Sequence, residues 1–260
     1  MRLQVVKGSF SYSKDKKILE DLNLTLDKGK FLCILGQNGI GKTTFLNCLT
    51  GILKWDSGYV SLNGKRVDGI SKEKEVAYVP QARGVDFPFT ALDMVAMGRT
   101  KHMGFFATPT RRDRLISLEC LEMMGILDLA DRKCSQMSGG QLQMVYIARA
   151  LASNPRLIIL DEPEAHLDFK NQALILNRLK DLVEEKGISC IMNTHHPQHA
   201  LKISDYTLIL GENGMYHYGE TMDTLTEENI NQYFRVATRI VDLKNLGIDE
   251  KAFVMLSKNE

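Results

Sequence analysis

The chain has 260 residues, of which 44% are hydrophobic and 25% are charged, so it is long enough to bury a core and is expected to be globular. Its 33 lysines and arginines nearly balance its 32 aspartates and glutamates, which leaves a formal net charge of +1. This balance argues against a nucleic-acid partner, because no strong positive field is expected around the protein.

The five cysteines form no Cys-x-x-Cys pair, and several lie in apolar runs, which indicates buried thiols in a reducing compartment such as the cytoplasm. The N-terminal segment lacks the apolar core of a secretory signal. No segment approaches the roughly 20 apolar residues that cross a bilayer. We therefore expect any membrane role to depend on a partner.

The predicted elements begin with strands. Residues 3–26 alternate apolar and polar stretches, which predicts extended structure. The apolar run 31–35 stops at a glycine and is typical of a strand buried on both faces. A helix over 43–53, a hairpin over 59–67 that turns at Asn63-Gly64, and a strand over 76–79 complete this part.

The pattern then changes to helices. Residues 82–153 are interpreted as a helical insertion, in which Thr90 and Thr110 are expected to cap helices. Two further buried strands are predicted, one on either side of a helix over 171–185, and this β-α-β unit implies a parallel sheet. The later elements are strands 157–160 and 189–192, a hairpin of 206–210 with 215–218 around Asn213-Gly214, and a tail beyond Thr224 expected to be helical.

The run GQNGIGKT fits the phosphate-loop pattern G-x-x-x-x-G-K-[ST] and lies between a buried strand and a helix, where that pattern has a mechanism. Backbone N–H groups and the helix N-terminus would hold phosphate oxygens, Lys42 would reach the β and γ phosphates, and the Thr43 hydroxyl would ligate Mg²⁺. A glycine-rich turn that binds nothing is the disfavoured alternative. The binding residues expected here are Gly36, Asn38, Gly39, Gly41, Lys42, Thr43 and Thr44.

Two adjacent acids, Asp161 and Glu162, follow a predicted buried strand, at the strand end where ligands of open α/β sheets bind. Asp161 would contribute to the Mg²⁺ shell, and Glu162, whose side chain faces the other way, would polarise an attacking water. Alone, the pair could equally be solvated acids at a strand exit. The phosphate loop makes the chemical interpretation the better one.

Three imidazoles, His195, His196 and His199, follow the next predicted strand. Their spacing suggests a metal site, but no cysteine or carboxylate nearby completes a ligand set. A single contact from His195 to the γ-phosphate explains the position better, with the other two on the following helix.

A second candidate anion site is the run Ser138, Gly139, Gly140 and Gln141, which begins another predicted helix. The N–H groups of a first helical turn and the serine hydroxyl can hold an anion, as in the phosphate loop.

Taken together, these motifs resemble those of ATP-binding cassette (ABC) ATPases over nearly the whole chain. The matching motifs, in family order, are the phosphate loop, Gln81 after a strand, MSGGQ at 137–141, LDEP at 160–163, HLD at 166–168 and Thr194-His195. The resemblance implies an α/β fold: a P-loop ATPase core with a mainly parallel sheet, an N-terminal antiparallel β subdomain and an inserted helical subdomain. A single domain over 1–260 is expected, with the core and β subdomain at 1–81 and 154–223, the helical subdomain at 82–153 and a tail at 224–260.

The family resemblance also implies ATP and Mg²⁺ as ligands and a head-to-tail homodimer, in which Ser138–Gln141 of one copy closes over ATP held by the other. Tyr12 would stack on adenine, Gln81 would sense Mg²⁺ and water, Asp168 would lie at the dimer seam and His195 would contact the γ-phosphate. Considered alone, Tyr12 could be a half-buried strand aromatic, Gln81 a surface amide and Asp168 a helix N-cap.

The segment FPFTALDMVAMGR at 87–99, followed by Thr110-Arg111-Arg112, resembles the ATPase subunits of importers for siderophores, haem, cobalamin and related metal chelates or oxyanions. This implies a peripheral protein on the cytoplasmic face of the inner membrane, a separate permease and, indirectly, an extracytoplasmic solute-binding protein. A docking groove near Phe87, Phe89, Met94 and Met97 is the hypothesis, and local core is its alternative. A soluble scaffold ATPase in iron–sulfur cluster assembly is the alternative function.

Overall fold

The computed structural model describes residues 1–13, 16–81, 88–103, 108–247 and 250–256. It contains two compact units: unit 1 comprises Met1–Ile70 with Ile191–Glu260, and unit 2 comprises Ser71–Cys190. The predicted helical segment 82–153 lies within the sequence limits of unit 2. Among the described residues, no helix is both long enough and apolar enough to span a membrane.

Strands and helices follow one another in mixed order along the chain. They are β1 Leu3–Ser13, β2 Lys16–Leu26, β3 Phe31–Leu35, α1 Lys42–Thr50, β4 Ser57–Leu62, β5 Lys65–Val67, β6 Val76–Val79, α2 Ala91–Ala96, α3 Arg111–Met123, α4 Gly139–Ala152, β7 Leu157–Asp161, α5 Phe169–Glu184, β8 Ser189–Asn193, α6 Pro197–Ile203, β9 Tyr206–Leu210, β10 Tyr216–Glu220, α7 Thr221–Thr224, α8 Glu227–Phe234, β11 Thr238–Asp242 and β12 Lys251–Met255. Short 3₁₀ turns occur between several of them.

Unit 1 contains an antiparallel sheet in the order β2-β1-β4-β5. The hairpin of β4 and β5 turns at Asn63 and Gly64, which have φ values of 51° and 78°. Such positive φ values are what a two-residue hairpin turn needs, so this prediction is confirmed.

The second sheet of unit 1 places β3 beside β9 in parallel and β10 beside β9 in antiparallel pairing. All five residues of β3 are buried, as the continuous apolar run predicts. Complete burial of each large apolar side chain contributes about 1.5–3 kcal/mol, so the strand that leads into Gly36 is firmly anchored. Strand β8 neighbours β3.

Unit 2 combines the parallel strands β6 and β7 with helices α2, α3 and α4, which pack on one another. Thr90 and Thr110 each form a capping box with the aspartate three residues later, Asp93 or Asp113. Both predicted caps are therefore confirmed, because each threonine hydroxyl accepts a backbone N–H that the helix itself leaves unpaired.

The expectation of a helical tail is only partly correct. Residues 227–234 form α8, but the next elements, β11 and β12, pair as an antiparallel hairpin. The β-branched and aromatic residues of these two strands favour extended structure and explain the difference.

Candidate functional site

The phosphate loop in unit 1 depends on two glycines. Gly36 has φ +150°, and a Cβ atom there would lie 2.7 Å from Ile40 Cγ2 and 2.8 Å from the Leu210 carbonyl oxygen. Gly41 has φ +118°, and its Cβ would lie 2.5 Å from Ile18. Any larger residue at these positions would therefore clash with the loop or its supports, and strain the backbone.

Lys42 is the first residue of α1, and its ammonium folds back over the loop. Its Nζ donates to the carbonyl oxygens of Gly36 at 2.9 Å and Gln37 at 3.2 Å. The side chain is buried, whereas Thr43 beside it is exposed at the start of the helix. The loop thus brings a cation, a hydroxyl and a helix N-terminus together, which is a chemically suitable set for binding phosphate.

Tyr12 lies next to this loop. Its hydroxyl is 3.2 Å from Thr44 Oγ1, and its ring packs edge-on against Phe10 with centroids 5.0 Å apart. The Tyr12 side chain is 64% exposed, so it is not a half-buried strand aromatic. An exposed aromatic ring beside a phosphate loop is available for stacking on a base.

The histidine segment follows β8 in unit 1. The Thr194 N–H donates to the carbonyl oxygen of Ile34 at 3.0 Å, which ties this segment to the carboxyl end of β3. His195 Nδ1 is buried and makes no hydrogen bond to any described part of the chain. The ring of His196 lies 3.9 Å from that of His195 and 4.7 Å from that of His199. Among the described residues no cluster suited to holding a metal ion occurs, so the structure offers no support for the metal-site alternative.

In unit 2, Asp161 is the last residue of β7, and its Oδ2 accepts a hydrogen bond from the Tyr78 hydroxyl at 3.1 Å. Burial, and then the charge of Asp161, raise the pKa of Tyr78, so this phenol stays protonated as a donor. Gln81, which follows β6, lines the same cavity as Asp161.

The backbone after Asp161 is unusual, because two residues other than glycine have left-handed conformations. Glu162 has φ 46° and His166 has φ 61°. Such conformations cost about 1–3 kcal/mol and are concentrated at functional sites. The strained Glu162 therefore fits a position where a carboxylate is held in a defined direction.

The serine-glycine-glycine run begins α4. Ser138 Oγ accepts from the Gln141 N–H at 3.3 Å, and Gln141 Oε1 accepts from the Ser138 N–H at 3.1 Å. A Cβ on Gly140 would come within 2.8 Å of Asn171. The small residues thus allow the first turn of α4 to approach the start of α5, while this capping box uses two of its N–H groups.

Asp168 is the N-cap of α5, since its Oδ1 accepts from the Asn171 N–H at 2.8 Å. The next residue, Phe169, is 91% exposed, which is exceptional for a phenylalanine. Leu167, on the other side of Asp168, lies near Gly139. The proposed dimer-seam residue therefore also supports its own helix, and an exposed aromatic ring adjoins it.

A groove of about 730 Å³ lies within unit 2, and Gln81 and Asp161 line it together with Met94 and Met97. Phe89 is partly exposed, whereas Met94 is buried, so the local-core alternative fits Met94 better. Phe87, also named in the docking hypothesis, is outside the described residues.

The two charges in the predicted docking segment have structural roles. Asp93 belongs to the capping box of α2, and Arg99 donates to Asp113 at 3.0 Å and to the Ala152 carbonyl oxygen at 2.7 Å. Charge reversal at Asp93 or Arg99 would therefore disturb the helices themselves. These positions are unsuitable for testing permease docking alone.

Sequence reasoning did not identify Tyr78 or Phe169 as site residues. The pairing of β6 with β7 brings Tyr78 to Asp161, and no local pattern shows which strands are neighbours. The sequence could have indicated Phe169, because it is the one apolar residue in the otherwise polar first turn of α5. An apolar residue on a polar helix face is often a contact residue for another surface.

A glycine loop ending in Lys-Thr between a buried strand and a helix defines a P-loop nucleoside triphosphatase. A family model described as "ABC transporter" matches residues 19–165, which is more than half of the chain. The chain belongs to this family, and it is an ABC ATPase.

Two curated relatives illustrate the similarity. The molybdate import ATP-binding protein of Haemophilus influenzae is 36% identical over 234 residues, covering 90% of this chain and 88% of the relative. The iron(3+)-hydroxamate import ATP-binding protein of Bacillus subtilis is 35% identical over 230 residues, covering 87% of this chain and 86% of the relative.

Solved structures agree. An inward-facing structure assigned to a metal-chelate type ABC transporter superimposes with a TM-score of 0.88 at 34% identity, covering 98% of both chains. A dimeric, post-hydrolysis ATP-binding cassette bound to ADP and phosphate gives a TM-score of 0.70 at 28% identity, covering 84% of this chain and 98% of the other. The predicted α/β P-loop fold is thereby confirmed.

Proposed function

We propose that this chain is the ATP-hydrolysing subunit of an importer for an iron-siderophore, haem, cobalamin or related metal or oxyanion solute. The proposal rests on one observation above all: the chain is similar, over almost its whole length, to import ATPases and to a metal-chelate-type transporter. On this proposal the protein is peripheral, at the cytoplasmic face of the inner membrane. A separate permease, served by an extracytoplasmic solute-binding protein, carries the solute.

The chemistry we propose uses ATP with Mg²⁺. Thr43, Gln81 and Asp161 offer hydroxyl, amide and carboxylate oxygens, which are the donor types that Mg²⁺ prefers. The ion would neutralise charge on the β and γ phosphates. Glu162 would orient and polarise the attacking water, and His195 would donate to a γ-phosphate oxygen.

We propose that two copies pair head to tail, so that Ser138–Gln141 of one copy closes over ATP bound by the phosphate loop of the other. One solved relative is a dimer bound to ADP and phosphate, which supports pairing of two copies. Glu162→Gln should trap the closed state, because ATP still binds while hydrolysis falls by about 10²–10⁴-fold.

Light scattering would test this dimer. The Glu162→Gln protein should double its molar mass when ATP and Mg²⁺ are added. Glu185→Gln, at the end of α5, is a matched control for the loss of one carboxylate, and it should hydrolyse ATP at the wild-type rate. A Glu162→Gln protein that binds ATP but remains a monomer would contradict a composite site in the isolated chain.

The part of the unit 2 groove lined by Met94 and Met97, rather than the part lined by the proposed Mg²⁺ ligands Gln81 and Asp161, is our proposed docking site for the permease. Arg149 also lines the groove, and it is exposed; its Nη1 donates to Met94 Sδ at 3.7 Å. Arg149→Glu should reduce retention on permease-containing membranes while leaving ATP affinity unchanged. Arg114→Glu, at an exposed position of α3, is the matched control.

Membrane fractionation distinguishes this function from the soluble scaffold alternative. Co-expressed with its permease, the protein should sediment with membranes and support solute uptake that Glu162→Gln abolishes. Complete recovery in the soluble fraction, with normal ATPase activity, would favour a scaffold ATPase.

A further inference from the structure

The C-terminal part of unit 1 makes specific hydrogen bonds to both nucleotide-site segments of that unit. The elements involved are α8, β11 and β12, which we call the C-terminal brace. One of its contacts reaches the phosphate loop, and the other reaches the helix that follows His195.

The contact with the phosphate loop is made by Gln37. Its Nε2 donates to the carbonyl oxygen of Tyr233, in the last turn of α8, at 2.9 Å. Tyr233 is itself buried, so this end of α8 is held in place by packing. The Gln37 carbonyl oxygen also accepts a hydrogen bond from Lys42. Gln37 therefore links the lysine of the phosphate loop to α8.

The contact with the histidine segment is made by Gln198, on α6. Its Nε2 donates to the carbonyl oxygen of Lys251 at 2.9 Å, and its Oε1 accepts from the N–H of Phe253 at 3.0 Å. The side-chain amide thus pairs with β12 in the way a neighbouring strand would. Both partners are backbone groups more than fifty residues away, so this pairing fixes α6 to the hairpin.

Helix α6 is in turn in contact with His195. His196 is its N-cap, and the His196 ring packs in tilted orientations against the rings of His195 and His199, with centroids 3.9 Å and 4.7 Å apart. A shift of α6 would therefore move the His195 ring as well.

Glu227, at the start of α8, connects this helix to β11. Its Oε1 accepts from the N–H of Ile240, and its Oε2 bonds Arg239 Nη1 at 2.6 Å. These two hydrogen bonds lower the pKa of Glu227 below its ordinary value, so the carboxylate stays charged at neutral pH. A continuous set of contacts thus runs from Gln37 through α8, β11 and β12 to Gln198.

We propose that the C-terminal brace sets the position of His195 relative to the phosphate loop, and that Gln198 is a positioning residue for ATP hydrolysis. The inference rests on the proposed role of His195 at the γ-phosphate. A small displacement of such a group slows the reaction step without weakening nucleotide binding.

Steady-state ATPase kinetics test the proposal. Gln198→Ala should lower kcat by about tenfold with KM for ATP unchanged, since it loosens His195 and leaves the binding loop intact. Gln232→Ala, an exposed glutamine of α8, should retain wild-type kcat. Gln198→Glu keeps the acceptor for Phe253 but sets a carboxylate oxygen against the Lys251 carbonyl oxygen, so its kcat should also fall below that of the wild type.

A double-mutant cycle tests whether the brace acts as one body. If it does, the fold-decrease in kcat of the double variant Gln37→Ala/Gln198→Ala should be smaller than the product of the fold-decreases of the two single variants. The two side chains bond different elements, so such coupling would have to pass through the brace. If the two fold-decreases in kcat simply multiply, the proposed brace is wrong. It is also wrong if Gln198→Ala has the same kcat as Gln232→Ala, or if Gln198→Ala changes only the KM for ATP.

His195→Ala separates this inference from the function on which it rests. If His195→Ala abolishes hydrolysis while Gln198→Ala behaves as the control, the brace is wrong and the proposed role of His195 stands. If His195→Ala hydrolyses ATP normally, both are wrong. Gln198→Glu provides the measurement should Gln198→Ala fail to fold.

Discussion

The Tyr78 hydroxyl donates a hydrogen bond to Oδ2 of Asp161 at 3.1 Å, joining the neighbouring strands β6 and β7 at the point where β7 ends. The bond fixes the direction of a carboxylate that we propose as part of the Mg²⁺ shell. Tyr78→Phe should therefore raise the Mg²⁺ concentration that half-activates ATP hydrolysis, by about tenfold, as loss of a partner that orients a metal ligand typically does.

A titration of ATPase activity with Mg²⁺ checks this prediction. Tyr59→Phe, in the antiparallel sheet of unit 1, serves as the control and should keep the wild-type midpoint. Identical midpoints for Tyr78→Phe and the wild type would show that the hydroxyl does not orient the proposed ligand.

Asp113 gives a pH-dependent contribution to stability. The side-chain hydroxyl of Thr110, its backbone N–H and then the Arg99 guanidinium lower the pKa of Asp113 from 3.8 to about 2. A carboxyl whose pKa is lower in the folded protein stabilises it above the pKa of the unfolded chain. That stabilisation is lost as the pH falls from about 4 to about 2.

Asp113→Asn should consequently unfold at lower urea concentration than the wild type at neutral pH. The difference between their midpoints should shrink as the pH falls from about 4 to about 2, over which the wild-type carboxyl also takes up a proton. Asp128→Asn, a carboxyl of an exposed turn, is the control. If the difference between the urea midpoints stays constant down to the lowest pH at which both proteins fold, the lowered pKa of Asp113 does not account for it.

Local patterns predicted most of the fold, because each depends on residues that are adjacent in sequence. The hydroxyls of Thr90 and Thr110 reach only three residues ahead, and the turn at Asn63-Gly64 needs only its own φ values. The bond between Tyr78 and Asp161 spans 83 positions and depends on which strands are neighbours, which no local pattern encodes. The same holds for the bonds from Gln198 to β12.

The buried thiols should be unreactive in the folded protein. All five cysteines are buried, and burial raises the pKa of Cys48 and of Cys120 to about 12, so the reactive thiolate is scarce at neutral pH. A colorimetric thiol reagent should label almost none of the native protein within minutes. It should label all five cysteines in denaturant, and rapid native labelling would mean that these sites open readily.

Phe169 should contribute to pairing of two copies. It is 91% exposed, and it follows Asp168, which the family resemblance places at the dimer seam. Burying such a ring against a second copy contributes about 1.5–3 kcal/mol, which corresponds to roughly tenfold or more in dimer affinity. Phe169→Ala should weaken ATP-dependent dimerisation by at least about tenfold, and the Asp168 cap of α5 should remain intact.

The comparison is best made in the Glu162→Gln background, where ATP is not consumed, by measuring molar mass over a range of protein concentrations. Leu115→Ala removes another exposed apolar side chain of unit 2, on α3, and should leave the dimer unchanged. ATP affinity of the monomer should be the same in both variants, because neither residue belongs to the phosphate loop. Equal dimer affinity in Phe169→Ala and Leu115→Ala would place the contact surface elsewhere on the molecule.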